Sequence, residues 1–217
     1  MTRNDTRYAD RLGRLVSDES DRWLERWRDI LERARGGALL ELGCGGGRDS
    51  RYLTGLGLEV VAGDISEEAL EICRGRAPRA DVRRIDLREP LPFPDQAFPV
   101  IVAGLCLHFF DWPGTMAAMA EIRRCLAPGG FLLMRVNSTH DINRDVEGHE
   151  EIEPNLFLVK GGLKRFFDRE SMERLIGTGW RVHCLEELTV DRYGVPKVLW
   201  EAVLEKERDD ATPVTEG

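Results

Sequence analysis

An α/β fold with a mostly parallel sheet covered on both faces is what this sequence predicts, and three observations carry it. From Ala38 onward short apolar runs alternate with stretches of helical spacing, and the gaps between runs are long enough to hold crossover helices. The first apolar run leads straight into a glycine-dense turn, LELGCGGGRDS (40–50), and the last two runs read as a hairpin.

Along the chain, Leu12, Leu15, Val16, Trp23, Leu24, Trp27, Ile30 and Leu31 recur at helical spacing between about Tyr8 and Arg35, until Gly36-Gly37 stops them. Residues 1–36 therefore read as an N-terminal helical cap and 37–207 as the main domain. Strands are expected at 38–42, 58–64, 80–86, 98–104 and 130–136, rich in Leu, Val, Ile and Phe. The intervening helices are RDSRYLTGL, SEEALEICRGRA with Ser66 as its N-cap, and GTMAAMAEIRRCLA. The polar segment NSTHDINRDVEGHEEIEPN (137–155) shows no period and is long for a loop, which marks 137–166 as a substrate-facing insert. LFLVKGG then reads as a short strand and Asp168–Gly177 as a helix capped by Asp168. GWRVHCLEELTV and PKVLWEAVLEK form two strands joined at DRYGV, and 208–217 is a polar, disordered tail.

Length and composition bound the function. The 217 residues suit one single-core domain, and with 42% hydrophobic and 32% charged residues no apolar run is long enough to span a bilayer. The polar N-terminus shows no secretory signal, so a cytoplasmic protein without membrane partners is expected. A net charge of -8 with scattered arginines disfavours nucleic acid. Five cysteines without a CxxC pair argue against a disulfide framework and a zinc site, leaving them as small buried fillers in a reducing compartment. No metal is expected, because the acidic and histidine residues of 140–151 match no compact ligand spacing.

The glycines raise the chemical question. Gly43, Gly45 and Gly47 give a GxGxG spacing at the first strand-to-helix turn, which serves either as a tight turn or as a place where a ligand approaches the backbone. Asp64 closes the second strand, where a carboxylate accepts from ribose hydroxyls, and Asp86 closes the third, where it can read an adenine amino group. Each aspartate alone also fits a turn or cap. Together with the glycines they define a nucleoside site at the switch point of the sheet.

LELGCGGGRDS, VVAGDIS, RRIDLREPLPFPDQAFPVIVAG and CLAPGGFLLM resemble, in order and spacing, the successive motifs of the class I S-adenosylmethionine-dependent methyltransferases over residues 38–136. The resemblance implies a Rossmann-like three-layer sandwich with a seven-stranded sheet of order 3-2-1-4-5-7-6, strand 7 antiparallel. It also implies that Glu41, Gly43, Cys44, Gly45 and Gly47 hold the methionine portion of S-adenosylmethionine. By the same resemblance Asp64 with Ile65 holds the ribose, Asp86 and Leu87 the adenine, and Gly104 and Leu105 the floor beneath the sulfonium. RDSRYL and KRFFDRESMERLI…GW look similar to tellurite-resistance and small-molecule thiol methyltransferases.

The acceptor side is read from fewer signals. A sulfonium methyl is already activated, so transfer needs an in-line nucleophile and a dry site. His108, in CLHFF after strand four, is either a substrate-contacting base or a hydrogen-bonded core histidine. Asn137 and Arg135 at the end of strand five, His140 in the insert and Arg165 beyond it either touch the acceptor or satisfy local partners. Tyr8 and Trp23 either cage the acceptor or bury the cap helix. AGLCLHFF stands where an NPPY or DPPY tetrapeptide would mark methylation of base or glutamine amino groups. The expectation is a methyltransferase for a small-molecule thiol, oxygen or chalcogen-oxyanion acceptor. The alternatives are a non-catalytic S-adenosylmethionine-binding protein and an NAD-dependent oxidoreductase, the latter requiring a second nucleotide-binding half that the terminal hairpin replaces.

Overall fold

The computed structural model describes residues 22–142, 145–192 and 194–208. Tyr8, the first half of the expected cap helix and the tail from residue 209 lie outside the described residues.

Seven strands form one sheet: β1 (Ala38–Leu42), β2 (Glu59–Asp64), β3 (Asp81–Arg84), β4 (Phe98–Gly104), β5 (Leu126–Asn137), β9 (Trp180–Arg192) and β10 (Val195–Lys206). Their order is β3-β2-β1-β4-β5-β10-β9. The first five run parallel, and β10 pairs antiparallel with both β5 and β9. This is the expected 3-2-1-4-5-7-6 order, with β10 in the place of strand 7. Helices α2 (Arg48–Gly55), α3 (Glu67–Arg76), α4 (Trp112–Cys125) and α5 (Arg169–Ile176) supply the outer layers. Ser66 caps α3 through the Ala69 amide, and Asp168 closes a capping box on α5 with Ser171. No helix among the described residues is long and apolar enough to cross a membrane.

Both faces of the sheet are buried, which is why its strands read as nearly continuous apolar runs. On one face Leu40, Leu42, Ile101, Leu132, Met134 and Leu204 pack with Met119 and Ile122 of α4 and Leu175 of α5. On the other, Leu39, Val60, Val100, Val102, Leu133 and Val203 pack with Leu53 of α2, Leu70 of α3 and Leu24 and Leu31 of the N-terminal segment. All five cysteines are buried, as expected of small fillers.

Three expectations change. The described part of the cap is not one regular helix but a 3-10 turn (Trp23–Trp27), a single α turn α1 (Arg28–Leu31) and another 3-10 turn (Glu32–Ala34). No side chain caps the first turn, so anchoring comes from burying Trp23 and Leu24. Strand five begins at Leu126 rather than 130, with a register shift opposite Phe98 and Val100 that absorbs the Pro-Gly-Gly. The insert carries a small antiparallel meander, β6 (Glu150–Glu153), β7 (Leu156–Val159) and β8 (Gly162–Arg165). β7 falls within the expected LFLVKGG strand, whereas the acidic residues of β6 masked its strand period, because its side chains are largely exposed and its register shifts between Glu151 and Glu153.

Gly63 in β2 is required by packing. A Cβ there would stand 2.4 Å from Ile85 Cδ1 and 3.0 Å from Ile85 Cβ. Gly63→Ala should lower the free energy of unfolding by about 1–3 kcal/mol, the usual cost of overpacking. Chemical denaturation checks this, and in combination with Ile85→Ala the two losses should be less than additive, because the clash with Ile85 Cδ1 is gone.

Candidate functional site

An open cleft lies at the carboxyl ends of β1 and β4. Its wall is formed by the glycine loop, by Glu41, by the start of α2, by Gly104 and Leu105, by Trp23 and by Arg135. Strand alternation explains why these side chains meet. Glu41 shares the face of Leu39, Gly104 that of Val102, and Arg135 that of Leu133, so each continues an apolar stripe to the edge of the sheet.

The loop reverses through three left-handed glycines, Gly43 (φ +69), Gly45 (φ +52) and Gly47 (φ +75). They differ in purpose. A Cβ on Gly43 would come within 2.4 Å of Cys106 Cβ, and one on Gly47 within 2.9 Å of Cys73 Cα, so both serve close packing. A Cβ on Gly45 would meet nothing within 4 Å. Gly45 lines the cleft, and the space it leaves is a cradle for a ligand that approaches the backbone.

Charge in the wall is mixed. Glu41 is only 3% exposed and accepts a hydrogen bond from Ser50 Oγ at 2.5 Å. Burial, and after it the nearby charge of Asp49, push its carboxyl well above the ordinary range. Asp49 accepts from Trp23 Nε1 at 2.8 Å and from Arg48 Nε at 2.9 Å. Across the cleft the Arg135 guanidinium stands 4.7 Å over the Trp23 ring. It pairs with Glu201 through Nε (2.7 Å) and Nη2 (2.6 Å). Glu201, 1% exposed, also accepts from Trp27 Nε1 at 2.9 Å. Leu105 holds φ +59 and donates its amide to the Arg135 carbonyl at 2.8 Å, which ties the turn after β4 to β5.

Of the residues expected from sequence, Glu41, Gly43, Cys44, Gly45, Gly104, Leu105, Trp23 and Arg135 come together in this wall, while Gly47 packs on Cys73 and does not line it. Others stand elsewhere in this conformation. The Asp64 carboxylate is turned onto the amides of Gly45 and Ser66, both at 3.0 Å, and burial raises its pKa. It thus fixes the loop. Asp86 forks onto Arg88 at 2.6 and 2.9 Å, which holds its carboxyl below the usual value. Ile65 and Leu87 flank these two aspartates without lining the cleft. His108 is 4% exposed, in ring contact with Phe109, and is not among the lining residues. Asn137 and Arg165 are buried. Asn137 Nδ2 donates to the Arg165 carbonyl, and Arg165 reaches Glu153 at 3.0 Å and the Phe110 carbonyl at 3.4 Å. His140 is exposed and faces Glu187 at 3.0 Å. Sequence reading missed Arg48, Asp49 and Arg76 as wall residues. Asp49 and Arg48 directly follow the third loop glycine, a position that signals proximity to any bound group.

These residues fit S-adenosylmethionine: the cradle at Gly45 admits a ligand against the backbone, and acidic and basic side chains in one wall match a zwitterionic amino-acid moiety.

Comparison with known proteins agrees. Residues 40–134 match the methyltransferase domain family. A curated relative, 27-O-demethylrifamycin SV methyltransferase of Amycolatopsis mediterranei, is 30% identical over 156 residues, covering 67% of this chain and 56% of the relative. The chain spans from about a third to little more than half of the length of the curated relatives it matches. The solved structure of an S-adenosylmethionine-dependent methyltransferase from Methanosarcina mazei superposes with a TM-score of 0.73 at 19% identity, covering 85% of this chain and 98% of that one. The 1,6-didemethyltoxoflavin-N1-methyltransferase of Burkholderia thailandensis, with its substrate and S-adenosylhomocysteine bound, superposes with a TM-score of 0.67 at 19% identity, covering 93% and 84%. Residues 40–134 match a methyltransferase domain, and the fold is the one found in S-adenosylmethionine-dependent methyltransferases.

Glu41 carries a stability signature of the site. Its folded pKa is raised, so its contribution to stability is fully present below the ordinary glutamate value of about 4.3 and is lost as pH rises toward the folded value. Glu41→Gln, which keeps the acceptor for Ser50, should therefore unfold at a higher temperature than the parent at neutral pH, with the difference vanishing near pH 4. An equal or lower Tm at neutral pH would show that Glu41 carries no such penalty.

Proposed function

We propose that the protein transfers the methyl group of S-adenosylmethionine to a small-molecule acceptor whose nucleophile is a thiol, an oxygen or a chalcogen oxyanion. The observation that carries this reading is the Gly45 cradle opening into a cleft walled by Glu41, Gly104 and Leu105. Support for a small acceptor comes from the two relatives named after small molecules. The cofactor brings an activated methyl, and the protein's part is to hold donor and acceptor in line and to exclude water.

Glu41 and the loop hold the methionine portion, while the strained turn at Leu105, pinned to β5, forms the floor beside it. Asp64 keeps Gly45 in its left-handed conformation, and the lone pairs its oxygens retain accept ribose hydroxyls. Asp86 with Leu87 flanks the adenine. The acceptor enters at the end of β4 and β5, beside the stacked indole of Trp23 and guanidinium of Arg135. Among the described residues lining the cleft there is no histidine, so an acceptor that arrives ionised, as a thiolate or oxyanion, suits the site best. Arg135 balances its charge. Such a protein works in the cytoplasm, on diffusible substrates.

Calorimetry with S-adenosylmethionine and with NAD should give binding to the first alone; binding of NAD alone would sink the assignment. Asp64→Ala should weaken cofactor binding by about 1–3 kcal/mol, through the lost ribose contact and the freed loop amides. Incubation with cofactor and a panel of thiols, phenols, carboxylates, amines and chalcogen oxyanions, read by mass spectrometry, should yield methylated thiol or oxyanion products. Methylated amines alone would overturn the acceptor class.

A further inference from the structure

Two of the five cysteines meet at the glycine loop. Cys44 begins its tight turn: the Cys44 carbonyl accepts from the Gly47 amide at 2.9 Å, and the side chain, 6% exposed, lines the cleft. Cys73, in α3, packs on that same turn, its Sγ 2.8 Å from the point where a Cβ on Gly47 would stand and 3.5 Å from Ser50 Oγ. Both belong to the core on one face of the sheet. There the thiols share a hydrogen bond, the Cys44 S–H donating to the Cys73 sulfur. That bond draws the Cys73 pKa down to about 7, while the same bond and burial push that of Cys44 up. Cys106, the third thiol at the loop, packs on Gly43 from the core of the opposite face, and burial raises its pKa.

We propose that Cys44 and Cys73 are a modification site, converted by peroxide to a reversible disulfide that ties the glycine loop to α3 and weakens cofactor binding. The effect on the cofactor rests on the methyltransferase reading; formation of the bond does not.

The pair titrates as one unit, and near neutral pH it can hold one proton on two sulfurs. Moving that proton along the hydrogen bond places the negative charge on Cys44, the sulfur that faces the cleft. The Cys44 thiolate attacks one peroxide oxygen, the O–O bond breaks, and the departing hydroxide takes the Cys73 proton and leaves as water. Cys44 is now a sulfenic acid. The Cys73 thiolate attacks its sulfur, the S–S bond forms, and the expelled hydroxide takes a proton from solvent. Two thiols are oxidised and one peroxide is reduced to two waters. A covalent S–S bond is shorter than the hydrogen bond it replaces, so closing it draws Cys44 toward α3. Gly47 leaves no room for the loop to follow as a body, because Cys73 Cα already stands 2.9 Å from the position of its missing Cβ. The turn therefore deforms at Cys44 and Gly45, where the Cys44 amide holds the Gly63 carbonyl and the Gly45 amide holds Asp64, both at 3.0 Å. Those are the bonds that keep the cradle open. A ligand in the cradle covers Cys44, so cofactor and oxidation oppose each other.

The reduced full chain, treated with hydrogen peroxide, alkylated under denaturing conditions and digested with trypsin, tests this directly. Cleavage after Arg35, Arg48, Arg51 and Arg74 places the two cysteines in separate peptides, 36–48 and 52–74, which should appear linked and separate with dithiothreitol. Calorimetry should show the oxidised chain binding S-adenosylmethionine about tenfold or more weakly, with dithiothreitol restoring it, and cofactor added before peroxide should slow the cross-link. Cys73→Ser should bind within about twofold of the reduced parent, before and after peroxide. If thermal unfolding shows that this variant has lost its fold, Cys44→Ala, compared with itself before and after peroxide, takes its place. Recovery of both thiols in alkylated form, or oxidation that stops at a sulfinic acid, overturns the pair. A cross-link that leaves affinity unchanged overturns its control of the loop. A reduced parent that does not bind S-adenosylmethionine overturns the cofactor reading, and the linked peptide still decides the disulfide.

Discussion

The parallel register of β1, β4 and β5, continued by antiparallel β10, is the constraint on which the site depends. Glu41 pairs with Val102, Gly104 with Arg135, and Arg135 with Glu201. Because side chains alternate with a period of two, this register puts Glu41, Gly104, Arg135 and Glu201 on one face, at the edge where the apolar stripes of four strands end. A slip of one residue in any pairing would send a charged group into the opposite core and an apolar group to the cleft. The dense packing of Val100, Val102, Phe131, Leu133 and Val203 beneath therefore does more than stabilise: it sets where the chemistry stands.

The buried Arg135–Glu201 pair shows what that placement costs. Two charges at 4% and 1% exposure have lost most of their hydration, and their attraction alone seldom repays it. Here the remaining hydrogen-bonding capacity of Glu201 is used by the Trp27 indole, with Arg26 at 3.5 Å as a second cation. The N-terminal segment is thus held by two indoles, Trp27 on Glu201 and Trp23 on Asp49. An apolar pair in place of Arg135 and Glu201 would pack as well, but would leave the Trp27 N–H without its acceptor and the Trp23 ring without the cation stacked over it.

Much of this was legible in the sequence, and for a physical reason. Strand and helix periods survive in ALLEL, EVVAGD and FPVIVAG because both sheet faces are buried, and the glycine spacing is legible because a left-handed turn admits few other residues. The strand order came from family likeness, which the topology matches. What sequence withheld were contacts made by side chains distant in the chain. Trp23 and Asp49 are 26 residues apart and Arg135 and Glu201 are 66 apart, and no local pattern announces either pair. The insert was illegible for a different reason. Only LFLV, the apolar middle strand, shows itself as a strand; β6 is four residues, three of them acidic, with a shifted register, and β8 is four residues with two basic ones, so neither carries enough alternation to be told from a loop.

The insert also explains why several polar residues that looked free to touch an acceptor are engaged elsewhere. The Arg165 amide donates to the His108 carbonyl at 2.8 Å, its Nε to the Phe110 carbonyl, and Glu153 accepts from the Trp112 amide at 3.2 Å. Phe167 donates to the Asn137 carbonyl at 2.8 Å, while its own carbonyl accepts from Thr139 and from the Trp200 indole. These bonds stitch the meander to both the loop after β4 and the end of β5. A buried backbone carbonyl needs a donor, and loops that leave a sheet at adjacent strand ends present several such carbonyls at once. The meander satisfies them, and in doing so it fixes the path from Leu105 to Trp112. Polar side chains near a sheet edge are therefore ambiguous in sequence, because ligand binding and the satisfaction of loop backbone call for the same residue types. In this protein the division falls by face: the residues beside α2 and the N-terminal turn point to the cleft, and those beside the meander hold the loops that frame it.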